Sequence, residues 1–283
     1  MLAFERHGTG EPLVLVHGVT HRRQAWYPVL DRLTPHREVF LVDLPGHGES
    51  PDLCTEGLAL EECLRRSFRQ FLDENGLQRP HVAGYSLGGR VALEAGAAGD
   101  ARSVTALSPA GFWRTALEFA HTRGVFTAAA RTVTRLGPRA ENLARTRAGR
   151  ELMYAMLMTH PLRVSQDAAL GDIRAFRRAI PALYEILDAA TPFTAAIPAE
   201  VPVLVAWAGR DFVLPRWQAG VARTQLPQAR HEIMHGVGHV PMWDNPRLVA
   251  DVLLRGSAHD ASVAPLPLSA APRRRRPLRV ASA

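Results

Sequence analysis

Short, largely apolar runs punctuate this chain at 12–16, 37–42, 80–85, 103–108 and 202–207, with further strand-like stretches at 230–234 and, ahead of them all, at 2–6. Between them, apolar residues recur at helical spacing over 22–33, 57–75, 87–98, 215–225 and 246–255. Runs that stay apolar on successive residues predict strands buried on both faces. Their alternation with helices predicts an α/β fold, a doubly wound and mostly parallel sheet. The alternation lapses once. Residues 112–195 hold no strand pattern and read as helices at 115–121, 126–136, 139–159 and 166–187. The chain therefore divides into an α/β core (1–111 and 196–258), a helical insertion (112–195) and a C-terminal stretch, 259–283, without helical or strand periodicity.

Charge follows the same boundaries. All 34 basic residues are arginine, and the net charge of +7 is uneven. The two core segments carry −3 and +1, the insertion +5 and the last 25 residues +4. Arg273-Arg274-Arg275-Arg276 could touch nucleic acid or an anionic membrane. The prolines, alanines and serines around it read instead as a disordered, solvated end. No apolar run approaches a membrane span, and the N-terminus has no signal-peptide pattern, so a cytoplasmic protein is expected. Cys54 and Cys63 lie on or beside one predicted helix and read as reduced thiols.

Chemistry concentrates at the strand ends. Gly84-Tyr85-Ser86-Leu87-Gly88 fits G-x-S-x-G between a predicted strand and a predicted helix, the context in which a sharp turn exposes a nucleophilic serine. Serine at its ordinary acidity needs a base, an acid to orient that base, and oxyanion donors. Asp211 sits just past the strand at 202–207, where doubly wound sheets gather their chemistry. His239 lies on a glycine-flanked loop after the strand at 230–234, so the chain order is Ser86, Asp211, His239. Gly18, at the end of the strand at 12–16, lets a loop pass close to the substrate, and the Val19 and Leu87 amides are the expected oxyanion donors.

Five segments together resemble the α/β-hydrolase superfamily, in its lid-bearing serine hydrolase group. They are His17-Gly18, Asp43-Leu44-Pro45-Gly46-His47-Gly48-Glu49-Ser50, the turn at Ser86, Gly209-Arg210-Asp211, and Gly238-His239-Val240-Pro241. The resemblance implies that 112–195 is a lid over the serine, with Tyr85, Phe112, Trp113, Met153, Met156 and Tyr184 toward a substrate pocket. It also implies one more strand before 2–6, so that either the sheet lacks its first edge strand or the start is misassigned. Dehalogenase-like and epoxide-hydrolase-like members carry an aspartate where this chain has Ser86, which argues against both activities. The expected reaction is hydrolysis of a small or medium, largely apolar carboxylic ester through an acyl-enzyme. The alternatives are C–C bond hydrolysis, a cofactor-free lyase or oxygenase reaction on the same triad, and a ligand-binding pseudoenzyme.

Other polar residues receive structural readings. Ser108 stands where some relatives hold the acid, which serine cannot replace. Asp244 reads as a residue at the N-terminus of the helix opened by Asn245-Pro246. His17 and His47 are expected to shape their loops by hydrogen bonding. No metal-ligand spacing, phosphate loop or dinucleotide fingerprint is present, so neither metal nor cofactor is expected. A small-molecule substrate is the expected partner.

Overall fold

The structure, a computed structural model, describes residues 1–53 and 57–258. The stretch 259–283 and Cys54 lie outside the described residues; Cys63 is buried. The strands are β1 (Phe4–His7), β2 (Pro12–Val16), β3 (Glu38–Val42), β4 (His81–Tyr85), β5 (Ser103–Leu107), β6 (Val203–Ala208) and β7 (Arg230–Met234). They form one sheet in the order β1-β3-β2-β4-β5-β6-β7. β1 runs antiparallel to β3 at the edge, and every other pairing is parallel. The stretch at 2–6 thus supplies the outermost strand itself.

The helices are α1 (Tyr27–Leu33), α2 (Leu60–Glu74), α3 (Leu87–Ala97), α4 (Ala116–Leu136), α5 (Ala140–Arg145), α6 (Arg147–Tyr154), α7 (Gln166–Ala189), α8 (Gln218–Gln225) and α9 (Pro246–Gly256). Alternation along each strand distributes the core between two layers. Val14, Val16, Phe40, Val42 and Val82 turn toward Phe68 and Phe71 of α2 and Val91 of α3. Leu13, Leu15, Val39, Leu41 and Ala83 turn the other way, toward Trp26, Val29 and Leu33 beside and on α1 and toward Val249 and Leu253 of α9. Both faces of the sheet are covered, which is why its strands read as largely apolar runs.

The inserted segment is helical from 116 to 189 but divides differently from its sequence pattern. The helices expected at 115–121 and 126–136 are one, α4, because Gly124 lies on an open face and costs too little to end it. The helix expected over 139–159 breaks instead. Thr146 has extended backbone and its hydroxyl accepts from the Gly149 amide, capping a new helix. Gly149 packs against the backbone of Leu143, where a larger residue would not fit.

One crossing sets the position of everything functional. The turn between β4 and α3 passes so close to the end of β2 that a methyl group on Gly88 would fall on the carbonyls of Val16 and His17. Neither carbonyl can swing aside without leaving the sheet. Gly88→Ala is therefore expected to lower stability by about 3 kcal/mol, and the melting temperature on the order of 10 °C. A calorimetric scan within 1 °C of wild type would show that the crossing has slack.

Candidate active site

Ser86 stands at this crossing with φ 56° and ψ −120°, in the left-handed half of conformational space. A non-glycine residue held there costs on the order of 1–3 kcal/mol. Three backbone bonds hold it: the Ser86 amide donates to the Leu107 carbonyl (2.9 Å), and its carbonyl accepts from Arg90 (3.0 Å) and Ala110 (3.1 Å). Gly84 faces the Gly88 backbone with no room for a Cβ. The two glycines of the motif thus bracket the strained serine for steric reasons.

Asp211 follows β6 and is buried. Its Oδ1 accepts from the amides of Val213 (2.9 Å) and Leu214 (2.7 Å), and its Oδ2 lies 2.7 Å from His239 Nδ1. A carboxylate only accepts, so the imidazole carries its proton on Nδ1 and leaves Nε2 with a lone pair. Nε2 is buried and has no hydrogen-bond partner among the described residues. The expected bond from Ser86 Oγ to His239 is therefore not formed, although both residues line one cavity. Such bonds are often long until a substrate draws the two groups together. Val19 and Leu87 line the smaller cavity with Ser86, and neither amide donates to a backbone carbonyl among the described residues.

The structural histidines are equally well defined. His17 Nδ1 lies 2.7 Å from the Gly18 carbonyl, and its Nε2 accepts from the Leu44 amide at 3.1 Å, which tethers the β2 loop to the β3 loop. His47 Nδ1 lies 2.9 Å from the Pro45 carbonyl. Burial pushes both histidines down to about 3. Ser108 accepts the Ala208 amide at 3.0 Å and braces the end of β6.

Asp244 stands at the N-terminus of α9, as expected, but does not cap it. Asn245 caps α9, its side chain accepting from Leu248 at 3.1 Å. Asp244 instead turns inward, and its buried carboxylate collects three amides: Thr159 (2.9 Å), His160 (2.6 Å) and Gly238 (2.7 Å). Arg163 donates to its carbonyl, and the Val240 amide donates to Leu157 at 2.9 Å. A Cβ on Gly238 would stand 2.6 Å from the Leu157 carbonyl. The loop that carries His239 is thereby joined to residues 157–163 of the insertion.

Two cavities meet at Ser86. The larger, about 360 Å³, is lined by Ser86, His239, Tyr85, Met153 and Met156 among other residues. The smaller, about 70 Å³, contains Trp113 and Leu87 on its wall; Val19, Ser86 and Phe126 belong to both. Phe112 and Tyr184 line neither. Phe112 is fully buried, packed against Phe193 and Trp207 at ring distances of 5.7 and 6.2 Å, because the chain turns under the sheet edge as it leaves β5. Tyr184 is 37% exposed, between the part of α7 that faces the larger cavity (Asp172, Ile173, Phe176) and the part that faces the smaller (Ile186, Leu187).

The sequence reading missed His21, Tyr154 and Asp172, which form a polar cluster on the wall of the larger cavity. A signal existed for Asp172. It lies on the apolar stripe of α7 with Ala169, Phe176 and Leu183, where an acid is out of place. Among the described residues no group of three or more His, Cys, Asp or Glu could hold a metal, and no helix is long and apolar enough to cross a membrane.

Comparison with known proteins agrees with the architecture. A family model described as "Alpha/beta hydrolase family" matches residues 13–252, and the chain belongs to that family. Over 89 residues it is 43% identical to a 2-succinyl-6-hydroxy-2,4-cyclohexadiene-1-carboxylate synthase of Yersinia pseudotuberculosis, a match covering 31% of each chain. Among solved structures it superposes on a thermophilic esterase from Thermogutta terrifontis with a TM-score of 0.68 at 24% identity, over 90% of this chain and 92% of the other. An epoxide hydrolase from Bacillus megaterium gives 0.69 at 14% identity, over 90% and 95%. At these identities the structural likeness is one of fold.

Two outcomes are expected from this geometry. Asp244→Asn, which sets an amide against one of three N–H donors, should cost about 2 kcal/mol or more and roughly 5 °C in melting temperature. It should also open residues 157–163 to limited proteolysis; a variant as stable and as resistant as wild type would contradict the clamp. The second concerns pH. His17 and His47 bind a proton in the unfolded chain below about 6.5 but in the folded chain only near 3. The stability they confer is complete above 6.5 and is lost as pH falls toward 3, by up to about 1.4 kcal/mol per unit for each. The melting temperature should thus decline from pH 7.5 to 5, less steeply in His47→Gln; an identical slope in the variant would refute this account.

Proposed function

We propose that this chain is a serine hydrolase that cleaves small or medium, largely apolar carboxylic esters through an acyl-enzyme. The observation that carries the reading is the buried Asp211–His239 pair at 2.7 Å, whose unpartnered Nε2 lines the same cavity as the strained Ser86. In this mechanism Nε2 takes the Ser86 proton as Oγ attacks the ester carbonyl. Asp211 fixes the imidazole tautomer and stabilises its charged form. The Val19 and Leu87 amides receive the oxyanion. His239 then protonates the departing alcohol, and a water molecule activated by the same nitrogen hydrolyses the acyl-serine.

The insertion acts as a lid in this reading. Its methionines and leucines give the larger cavity an adaptable apolar wall suited to hydrocarbon of varied shape. The family membership and the esterase fold neighbour support hydrolysis in general. A second reading is favoured by the partial match to the Yersinia synthase: His239 could serve as a base for a C–C bond or elimination reaction without an acyl-enzyme.

Ser86→Ala is expected to abolish both turnover of p-nitrophenyl esters and labelling by a fluorophosphonate, with the melting temperature nearly unchanged. Asp211→Asn should lower kcat by roughly 10³–10⁴. Labelling of the wild type without turnover of any chain length would favour the second reading. Neither labelling nor turnover would point to a receptor-like pocket.

A further inference from the structure

Besides Ser86, His239, Thr20 and Thr132, the lining of the larger cavity holds four polar side chains, His21, Tyr85, Tyr154 and Asp172. The acyl-transfer chemistry uses none of their polar groups, yet they form one connected chain. Tyr154 donates its hydroxyl proton to Asp172 Oδ2 at 2.7 Å, and His21 Nε2 lies 3.4 Å from the same oxygen. His21 Nδ1 meets the Tyr85 hydroxyl. Arg22 approaches the other oxygen of Asp172 at 3.5 Å from outside the cavity lining.

Protonation states give the chain a direction. Burial alone would raise Asp172, but His21, the Tyr154 hydroxyl and Arg22 together hold it below the ordinary carboxylate value, so it is an anion. Burial pushes both phenols well above their ordinary value, so they stay neutral hydroxyls. A carboxylate only accepts, which commits the Tyr154 proton and an Nε2 proton of His21 to Asp172. When the imidazole is neutral its Nδ1 is an acceptor, and the Tyr85 hydroxyl donates to it. Every hydrogen in the chain points along it toward Asp172. The hydrogen-bonding capacity left along this chain is lone pairs of the two phenol oxygens, one at Tyr85 shared with the Gly18 amide.

A brace between the β2 loop and α7 would need only Arg22 and Asp172. It would not account for two phenols and an imidazole on the cavity wall, all aligned to present acceptors. We propose that Tyr85 and Tyr154, polarised by His21 and Asp172, form an acceptor subsite for a hydroxyl group. The preferred substrates are then esters whose acyl part, lying in the larger cavity, carries a hydroxyl donor. This specificity rests on the hydrolase reading above. An ether oxygen at the same place, with no proton to give, would face lone pairs with lone pairs and be rejected.

The test compares p-nitrophenyl 3-hydroxyhexanoate, 6-hydroxyhexanoate and 8-hydroxyoctanoate, each with its O-methyl ether. At least one hydroxy ester should exceed its ether in kcat/KM by about tenfold, the discrimination one buried hydrogen bond provides. In Tyr85→Phe/Tyr154→Phe that ratio should fall to about one; it is taken within each variant, so a general loss of activity cancels. No hydroxy ester preferred over its ether, or a preference that survives the double substitution, would overturn the subsite. Calorimetry on Ser86→Ala separates this from the hydrolase reading, using 8-hydroxyoctan-2-one and 8-methoxyoctan-2-one, which cannot be hydrolysed. Binding of the hydroxyketone about tenfold tighter, abolished by the two Phe substitutions, supports the subsite even where no ester is cleaved. Equal affinities overturn it even where esters are cleaved.

Discussion

The crossing of the β4–α3 turn over the end of β2 is the constraint from which the rest of the site follows. Two glycines that face backbone atoms with no room for a methyl group let a helix begin almost in contact with a neighbouring strand. That proximity fixes Ser86 in an unfavourable conformation and aims the first amide of α3 outward. It also brings the loop after β2 alongside, so that Val19 and Leu87 line one cavity with the serine. The strain is sustained because the Ser86 amide and carbonyl are bonded into β5 and its following loop. The sheet carries the cost of holding the serine away from its preferred geometry.

Much of this was legible before any coordinates. Strands buried on both faces write themselves as largely apolar runs, and the strands from β2 to β6 lie where such runs occur. The serine motif, Asp211 and His239 were marked by their places after strands. What escaped was information that does not repeat along the chain. The break at Thr146 depends on a hydroxyl reaching an amide three residues on, inside an otherwise continuous helical pattern. Phe112 is expected at the pocket because it opens the segment that resembles a lid, but the direction in which the chain leaves β5 sends it into the core. Asp244 reads as a helix N-terminal residue because Asn245-Pro246 follow it; only the fold brings the 159–160 amides within reach of its carboxylate.

The imidazoles illustrate how surroundings assign roles to one side chain. His17 and His47 are buried among backbone carbonyls and amides, and both are neutral struts. His239 has a buried carboxylate on one nitrogen and nothing on the other, the arrangement of a base. His21 has a carboxylate on one side and a phenol on the other, the arrangement of a relay. Four histidines within a small volume are distinguished by what each nitrogen touches, which is why a count of histidines says little about chemistry.

The clamp at Asp244 also bears on how such a protein can change over generations. Its carboxylate reads residues 159 and 160 through their backbone amides, so the side chains there are free to drift, with proline the exception because it has no N–H to offer. Position 238 is closed to anything larger than glycine, and position 244 needs an acceptor with two oxygens. The insertion can therefore be remodelled almost everywhere around its cavity without disturbing the alignment of His239, provided two amides stay where they are. Substrate range and catalytic alignment are thus inherited through different atoms, side chains for the first and backbone for the second.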